Sequence, residues 1–268
     1  MNCLHCKSPN VLLCKNKTDL GYCQYRCRTC KKQFNQRTHT LFNFIQYCTE
    51  VVMLTVHYYY RFRTSLDDVV ELMKMRGINL SHQTVHNWAQ PFGVQLGLKL
   101  RENRYGHAGK KWHIDATYIR VEGRWCYLYR AINKAGNLVD VYLSDVRDSK
   151  AAERFFRQAQ KATGCTPDQI TTDKEPALYA AIKNSFPAKT KHRDSKYMNN
   201  VIESDHRVSK SRLSIMKGFK NIFCALKFCT VFEEIRQFFR IKNRTRSQRR
   251  TIFSSKFNEY QQIASCEA

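Results

Sequence analysis

Two CxxC pairs, Cys3 with Cys6 and Cys27 with Cys30, constrain the start of this chain more tightly than any pattern of apolar residues does. Each pair can present two thiolates from one tight turn, and four thiolates complete the tetrahedron that zinc prefers. The intervening "SPNVLLCKNKTDLGYCQYR" has room for two short strands, so residues 1–38 are expected to fold as a small zinc ribbon. Cys14 and Cys23 read as strand residues. His5 and His39 are not needed once the cysteine set is complete. A structural zinc would supply the stability that so short a segment cannot bury for itself. Six of the 12 cysteines lie in the first 30 residues. "MNCLHCKSPN" has no apolar signal core, and no run approaches the roughly 18 apolar residues of a membrane span. The expected setting is therefore the cytoplasm, with thiols as metal ligands rather than disulfides.

Residues 39–108 read as a helical DNA-binding segment. "TLFNFIQYCTEVVMLTVHYYYRF" is a mostly apolar helix, in which His57 to Tyr60 are expected in the core rather than as base-stacking rings. "TSLDDVVELMKMRGINLSHQTVHNWAQPFG" then reads as a helix pair. Thr64 or Ser65 caps the first helix, Gly77 ends it and Ser81 caps the second. Val85, Trp88 and Ala89 point inward, leaving Thr84, His86, Asn87 and Gln90 outward, the layout of a helix-turn-helix with a polar recognition helix. Thr84, His86 and Asn87 are the candidate DNA contacts there.

Residues 109–240 carry the chemistry. "KWHIDATYIRV", "RWCYLYRAI" and "LVDVYLS" form an antiparallel meander, with turns at Glu122-Gly123 and "NKAGN". "DSKAAERFFRQAQKAT" is an amphipathic helix, "DQITTD" a short strand, "EPALYAAIKNSF" a helix, "TKHR" a last strand and "NNVIESDHRVSKSRLSIM" a long helix. The order β-β-β-α-β-α-β-α is that of a ribonuclease H-like α/β fold, a mixed five-stranded sheet with helices on both faces. Asp115 sits in the first strand, where a charge is expensive unless solvated, paired or bound to metal. Asp173 ends the fourth strand, which that fold places beside the first. Glu203 lies on the last helix, with Arg207 and Lys210 four and seven residues on and so on the same face. Three carboxylates in one cleft repel, two charges about 4 Å apart costing roughly 4 kcal/mol at an effective dielectric near 20. Two magnesium or manganese ions would remove that cost and suit a phosphate substrate. Asp205 is the internal rival to Glu203, about 200° around the helix. His206 is expected as a structural or DNA contact rather than a base.

The chain carries 46 Lys and Arg against 22 Asp and Glu, a net +24, spread along its length. Such a charge calls for a polyanion, and the absence of any lipid-anchor motif favours nucleic acid over a membrane. Residues 241–268 read as a basic tail. From Arg236 to Arg250 there are seven Lys or Arg and no acid, which makes the segment a solvated face or a DNA-clamping arm. Lys217, Lys220 and Lys227 extend positive charge toward it. "IFCALKFCTVFEEI" is a core or an interface helix.

"WHIDATYIRVEGRWCYLYRAINKAGNLVDVYLSDVRDSKAAERFF", "ITTDKEPALYAAI" and "HRDSKYMNNVIESDHRVSKSRLSIMKGFK" resemble the DDE transposases of bacterial insertion sequences, the group typified by insertion sequence six above all. The resemblance implies that Asp115, Asp173 and Glu203 are the catalytic, metal-binding triad and that Lys210 contacts DNA beside it. It implies cleavage and joining of double-stranded DNA at terminal inverted repeats by a replicative route, with target DNA as acceptor and a homodimer or larger assembly. The Asp173–Glu203 interval is a few residues shorter than usual in the group, a difference assigned to the loop around Asn184 to Lys191. Two other activities fit the same residues: an inactive transposase descendant that only binds DNA, and a ribonuclease H-like nuclease.

Overall fold

The computed structural model describes residues 1–173, 175–194, 200–216, 218–242 and 244–265. Lys217, read above as part of the basic stretch, lies outside them. The N-terminal segment is a three-stranded antiparallel sheet of β1 (Val11–Lys17), β2 (Cys23–Cys27) and β3 (Gln33–Phe34). Its core consists of Cys3, Cys27 and Phe34, with Leu4, Val11, Tyr25 and Cys30 packed around them. Leu12 and Leu13 face solvent. The four knuckle sulfurs all lie within 4.8 Å of one another, and the Cys30 amide points at the Cys27 sulfur across 3.5 Å. With so few apolar residues in that core, burial contributes little, and the four sulfurs are close enough together to hold a metal that would stabilise the sheet.

Three helices follow: α1 (Thr49–Arg61), α2 (Leu66–Lys74) and α3 (His82–Glu102). Ser65 and Asp68 close a reciprocal capping box on α2. Gly77, at φ +74, turns the chain out of it in a conformation that L side chains resist. The Ser81 hydroxyl accepts from the Thr84 amide and starts α3. His57, Tyr59 and Tyr60 are buried in α1 as core residues. Gly93 lets α3 approach α1, since a Cβ there would lie 2.4 Å from the Tyr60 ring.

The large sheet comprises β4 (Lys111–Val121), β5 (Arg124–Asn133), β6 (Leu138–Ser144), β7 (Gln169–Thr172) and β8 (Lys191–Asp194), in the order β6-β5-β4-β7-β8. β4, β5 and β6 are antiparallel neighbours, and β7 and β8 join β4 in parallel. This is the mixed five-stranded, ribonuclease H-like arrangement that the element order predicts. Alternate residues of β4 serve two cores. Trp112 and Ile114 pack with α4 (Ser149–Thr163) and α5 (Pro176–Ser185) on one face. Ile119 and Val121 pack on the other face, in a core shared with α7 (Ile222–Phe238), α1 and α3. The helical segment and the sheet are thus built around common apolar contacts. Between α5 and β8 the chain turns tightly, with the Thr190 amide bonded to the Pro187 carbonyl.

α6 (Asn200–Leu213) covers β4 beside α7, and α8 (Arg246–Ser265) returns along α1 and α3. The basic tail is therefore a helix anchored by Tyr260, which is 1 % exposed. Among the described residues no helix is long and apolar enough to cross a membrane.

Stripping metal with a thiol-competitive chelator should collapse hydrogen-exchange protection in residues 1–38 while the β4–β8 sheet keeps its own. Unchanged exchange in the ribbon would show that the cysteines are not what holds it.

Candidate active site

β4 and β7 run parallel with Lys111 opposite Gln169 and His113 opposite Thr171. Continuing that register by two residues sets Asp115 against Asp173, just beyond the end of β7. Asp115 lies among apolar neighbours with its side chain 18 % exposed, and its Oδ1 accepts the Ala116 amide at 2.8 Å. Its carboxyl is pushed up to about 6. Burial is the main cause, the Asp173 charge adds to it, and Glu203 acts in the same sense, while the Ala116 amide and Arg147 pull the other way. Asp173 Oδ1 is buried and has no hydrogen-bond donor among the described residues. Glu203 is exposed in the first turn of α6, where the helix N-terminus favours a negative charge. Asp115 thus feels the charges of both other acids. The three acids do not reach the mutual 4.8 Å spacing of the cysteine quartet.

α6 has an unusual cross-section. Ile202, Asp205, His206, Ser209 and Arg212 are buried, whereas Glu203, Arg207 and Lys210 are exposed. Asp205 receives Arg130 of β5, and Arg236 and Arg240 from the end of α7. Burial works against its charge, yet Arg130 above all, with Arg236 and Arg240, holds it down at about 2. Arg130 also donates to Glu233 at 2.9 Å, and Ser209 binds the same carboxylate. Asp205 is therefore committed to a buried ionic network and faces away from Asp173. His206 Nδ1 lies 3.7 Å from Asp115 Oδ2. Burial, with Arg130 adding to it, drives that imidazole down to about 4, so it is neutral at pH 7 and packs against Asp115 without an ion pair.

Two partners went unnoticed in the sequence. Arg147 grips Glu175 through two hydrogen bonds, donates to the Tyr118 hydroxyl at 2.9 Å and lies over the Tyr118 ring. Glu175 is two residues past Asp173 and immediately before Pro176, the first residue of α5, so the pair fixes the segment that carries Asp173. The Pro at a helix start marked the position of Glu175, but nothing in the sequence marked its partner. Behind Asp173, the Thr172 hydroxyl contacts His192 Nε2 at 2.9 Å.

At the far end of α3, His86 and Asn87 are exposed. Thr84 is half-buried and its hydroxyl pairs with Ser81 at 2.8 Å, while Asn87 accepts from Gln83 at 2.7 Å. The donor set at Asp115, Asp173 and Glu203 is all oxygen, contains an orphaned buried oxygen and is under like-charge strain. Those properties fit hard divalent cations. The four sulfurs of the ribbon fit a softer, tetrahedral one.

A family model described as a DDE domain matches residues 109–262. Over 187 residues the chain is 36% identical to the transposase for insertion sequence-like element IS431mec of Staphylococcus aureus, covering 67% of this chain and 83% of that protein. The same figures hold for the transposase for insertion sequence element IS257 in transposon Tn4003 of Staphylococcus aureus. The magnesium complex of the HTLV-2 integrase catalytic core domain is 18% identical, with a TM-score of 0.37, covering 54% of this chain and 95% of that one.

A folded-state value of about 6 for Asp115 against the ordinary 3.8 of an aspartate means that ionised Asp115 destabilises the fold by about 3 kcal/mol at pH well above 6. Below about pH 3 the carboxyl is protonated in both states and the cost disappears. Asp115→Asn should therefore raise Tm at pH 8 in buffer without added divalent metal, and leave it unchanged at about pH 3. An equal shift at both pH values would contradict the electrostatic origin. On α6 the two acids should separate cleanly in denaturant titrations. Asp205→Ala strands buried guanidinium groups and should cost about 3–5 kcal/mol, whereas exposed Glu203→Gln should stay within about 0.5 kcal/mol. Comparable losses would mean that the two faces of α6 are misassigned.

Proposed function

The chain belongs to the DDE transposases of bacterial insertion sequences, and from that premise we propose that Asp115, Asp173 and Glu203 are its catalytic triad, holding two magnesium or manganese ions. The observation that carries this reading is a buried Asp115 that feels the charges of both Asp173 and Glu203, together with the unpartnered buried oxygen of Asp173. When bound, the two ions activate the attacking oxygen and stabilise the leaving one in an in-line displacement at phosphorus.

The protein's own groups do the rest. Asp115 must lose its proton to act as a ligand, so protons compete with the ions for it as pH falls. Neutral His206 and the Ala116 amide fix the orientation of that carboxylate. Arg147, through Glu175, holds the backbone that presents Asp173. Arg207 and Lys210, on the exposed face beside Glu203, bind the phosphates that flank the scissile one. Strand cleavage and strand transfer are then one reaction with two nucleophiles, water in the first and a 3′-hydroxyl in the second. Each forms one P–O bond and breaks another.

DNA transposition by DDE chemistry is the activity of the family. The finer reading is that the ribbon, with zinc on Cys3, Cys6, Cys27 and Cys30, and the α2–α3 pair, through Thr84, His86 and Asn87, recognise terminal inverted repeats. Joining follows a replicative route in a homodimer or larger assembly. The protein works in the bacterial cytoplasm, on nucleoid DNA.

Asp115→Asn should abolish nicking and joining of paired terminal-repeat DNA in magnesium while binding that DNA as tightly as the parent. Loss of binding and chemistry in parallel would defeat the triad assignment. Binding by the parent without any cutting would point to an inactive descendant, and cutting of any duplex or hybrid to a general nuclease.

A further inference from the structure

One strongly charged feature has no part in that chemistry. Between the ends of α1 and α7 and the first turns of α8 lies a cleft of ≈ 890 Å³. Arg61, Arg236, Arg240, Arg246, Arg249 and Arg250 line it, with Phe239 and Phe253 between them. Asp205 is the one carboxylate on its wall among the described residues, and it is already saturated by Arg130, Arg236 and Arg240. Arg61, Arg246, Arg249 and Arg250 have no carboxylate partner among the described residues. The Nε of Arg61 is buried without an acceptor, and its guanidinium stands 5.6 Å over the Phe239 ring. Burial and the neighbouring charge of Arg236 both press on Arg61 to lose its proton, the expected strain where like charges crowd without an anion.

Arg246, Arg249 and Arg250 fall at i, i+3 and i+4 of α8 and are exposed at the rim, so one helical face presents three guanidinium groups to whatever enters. Planar guanidinium forks match the oxygens of phosphate better than any other common anion geometry. Asp205 closes the base of the cleft from α6, while Glu203 lies about 200° around the same helix. The floor of the cleft and Glu203 are therefore on different faces of α6, and none of Asp115, Asp173 and Glu203 lines the cleft.

We propose that this cleft binds the phosphodiester backbone of DNA at a site separate from the scissile phosphate, with Arg246, Arg249 and Arg250 as phosphate ligands and Arg61 behind them. The proposal rests on the transposase reading for its source of phosphate. A free phosphorylated small molecule shares the chemistry and is distinguished by the test.

The experiment uses full-length Asp115→Asn protein, so that no cutting intervenes, and follows its binding to a duplex oligonucleotide by fluorescence anisotropy across a salt series. Replacing Arg246, Arg249 and Arg250 together by Ala should lower the log–log salt slope by roughly 2 to 3, about 0.9 for each lost phosphate. Replacing Lys150, Arg157 and Lys161, exposed on α4 across the sheet, removes the same charge and should leave the slope unchanged. An unaltered slope in the α8 variant, or an equal fall in the α4 variant, overturns the proposal. If the α8 slope is unaltered but calorimetry shows the parent binding inorganic pyrophosphate and the α8 variant not, the occupant is a small phosphorylated ligand and DNA is the wrong source. Parent protein that binds duplex steeply with salt yet never cuts it would remove active transposition as the function without touching the slope comparison.

Discussion

The ionic network beneath α6 is the constraint on which the site depends. Arg130 of β5, Asp205 of α6 and Glu233 of α7 meet where their side chains are almost wholly buried. Arg236 and Arg240 close the cluster from the end of α7. Such a network is weak as a source of net stability, since desolvation takes back much of what the Coulomb attraction gives. Its strength is geometric. A helix packed through leucines can shift along its axis at modest cost. A helix packed through Asp205, Ser209 and Arg212 cannot move without stranding a charge. Arg212 adds a second fixed point, donating to the Tyr59 carbonyl at 2.8 Å while lying against the Tyr59 and Phe228 rings. With the buried face so fixed, the exposed face carrying Glu203, Arg207 and Lys210 has one orientation.

That rigidity matters because the acids it brings together repel. Asp115 is held by its pairing with Arg130 of β5, two residues past the last β4–β7 pair, and Asp173 by the Arg147–Glu175 clamp. Neither can relax away from the other at low cost. A flexible site would relieve the repulsion by swinging one carboxylate into water; this one keeps it, which prepares the site for divalent cations. Arg147 approaches closely enough to lower Asp115 but spends its hydrogen bonds on Glu175 and Tyr118, and Asp173 Oδ1 is left without a donor.

The sequence disclosed those parts of this design that follow a simple period or a short motif. The cysteine spacing announced the ribbon, and the turn residues announced the meander. Asp115 stood out because an acid amid "KWHI" and "ATYIRV" has no cheap structural use. Arg130 is equally anomalous in "RWCYLYRAI", and the same reasoning would have found it. Its partners were hidden because they come from helices 75 and 103 residues away. α6 was the hardest element to interpret. Its buried face is polar, so apolar periodicity is silent, and the choice of Glu203 over Asp205 leaned on the spacing of Arg207 and Lys210. The C-terminal segment was legible in its charge and not in its packing. Its arginines read as a solvated face or a DNA-clamping arm, and a single buried ring, Tyr260, together with Phe257, binds the helix to the core.

A common core joins recognition to chemistry. α3 is 21 residues long, about 30 Å at 1.5 Å per residue. Its first turns expose His86 and Asn87, and its buried stripe runs through Phe92 and Leu96 to Leu100. At the other end Arg101 bonds Asp140 of β6 at 2.8 Å, and Arg104 grips Glu234 of α7 while donating to the Leu138 carbonyl. Glu234 is the neighbour of Glu233 in the network under α6. A single unbroken strut therefore runs from the outward-facing polar turn to the layer that orients Glu203, with no flexible linker between. On the proposed reading, DNA seated on the first turns of α3 would be fixed relative to the three carboxylates by helix geometry alone, and binding at one end of the strut would also set where a strand can lie at the other.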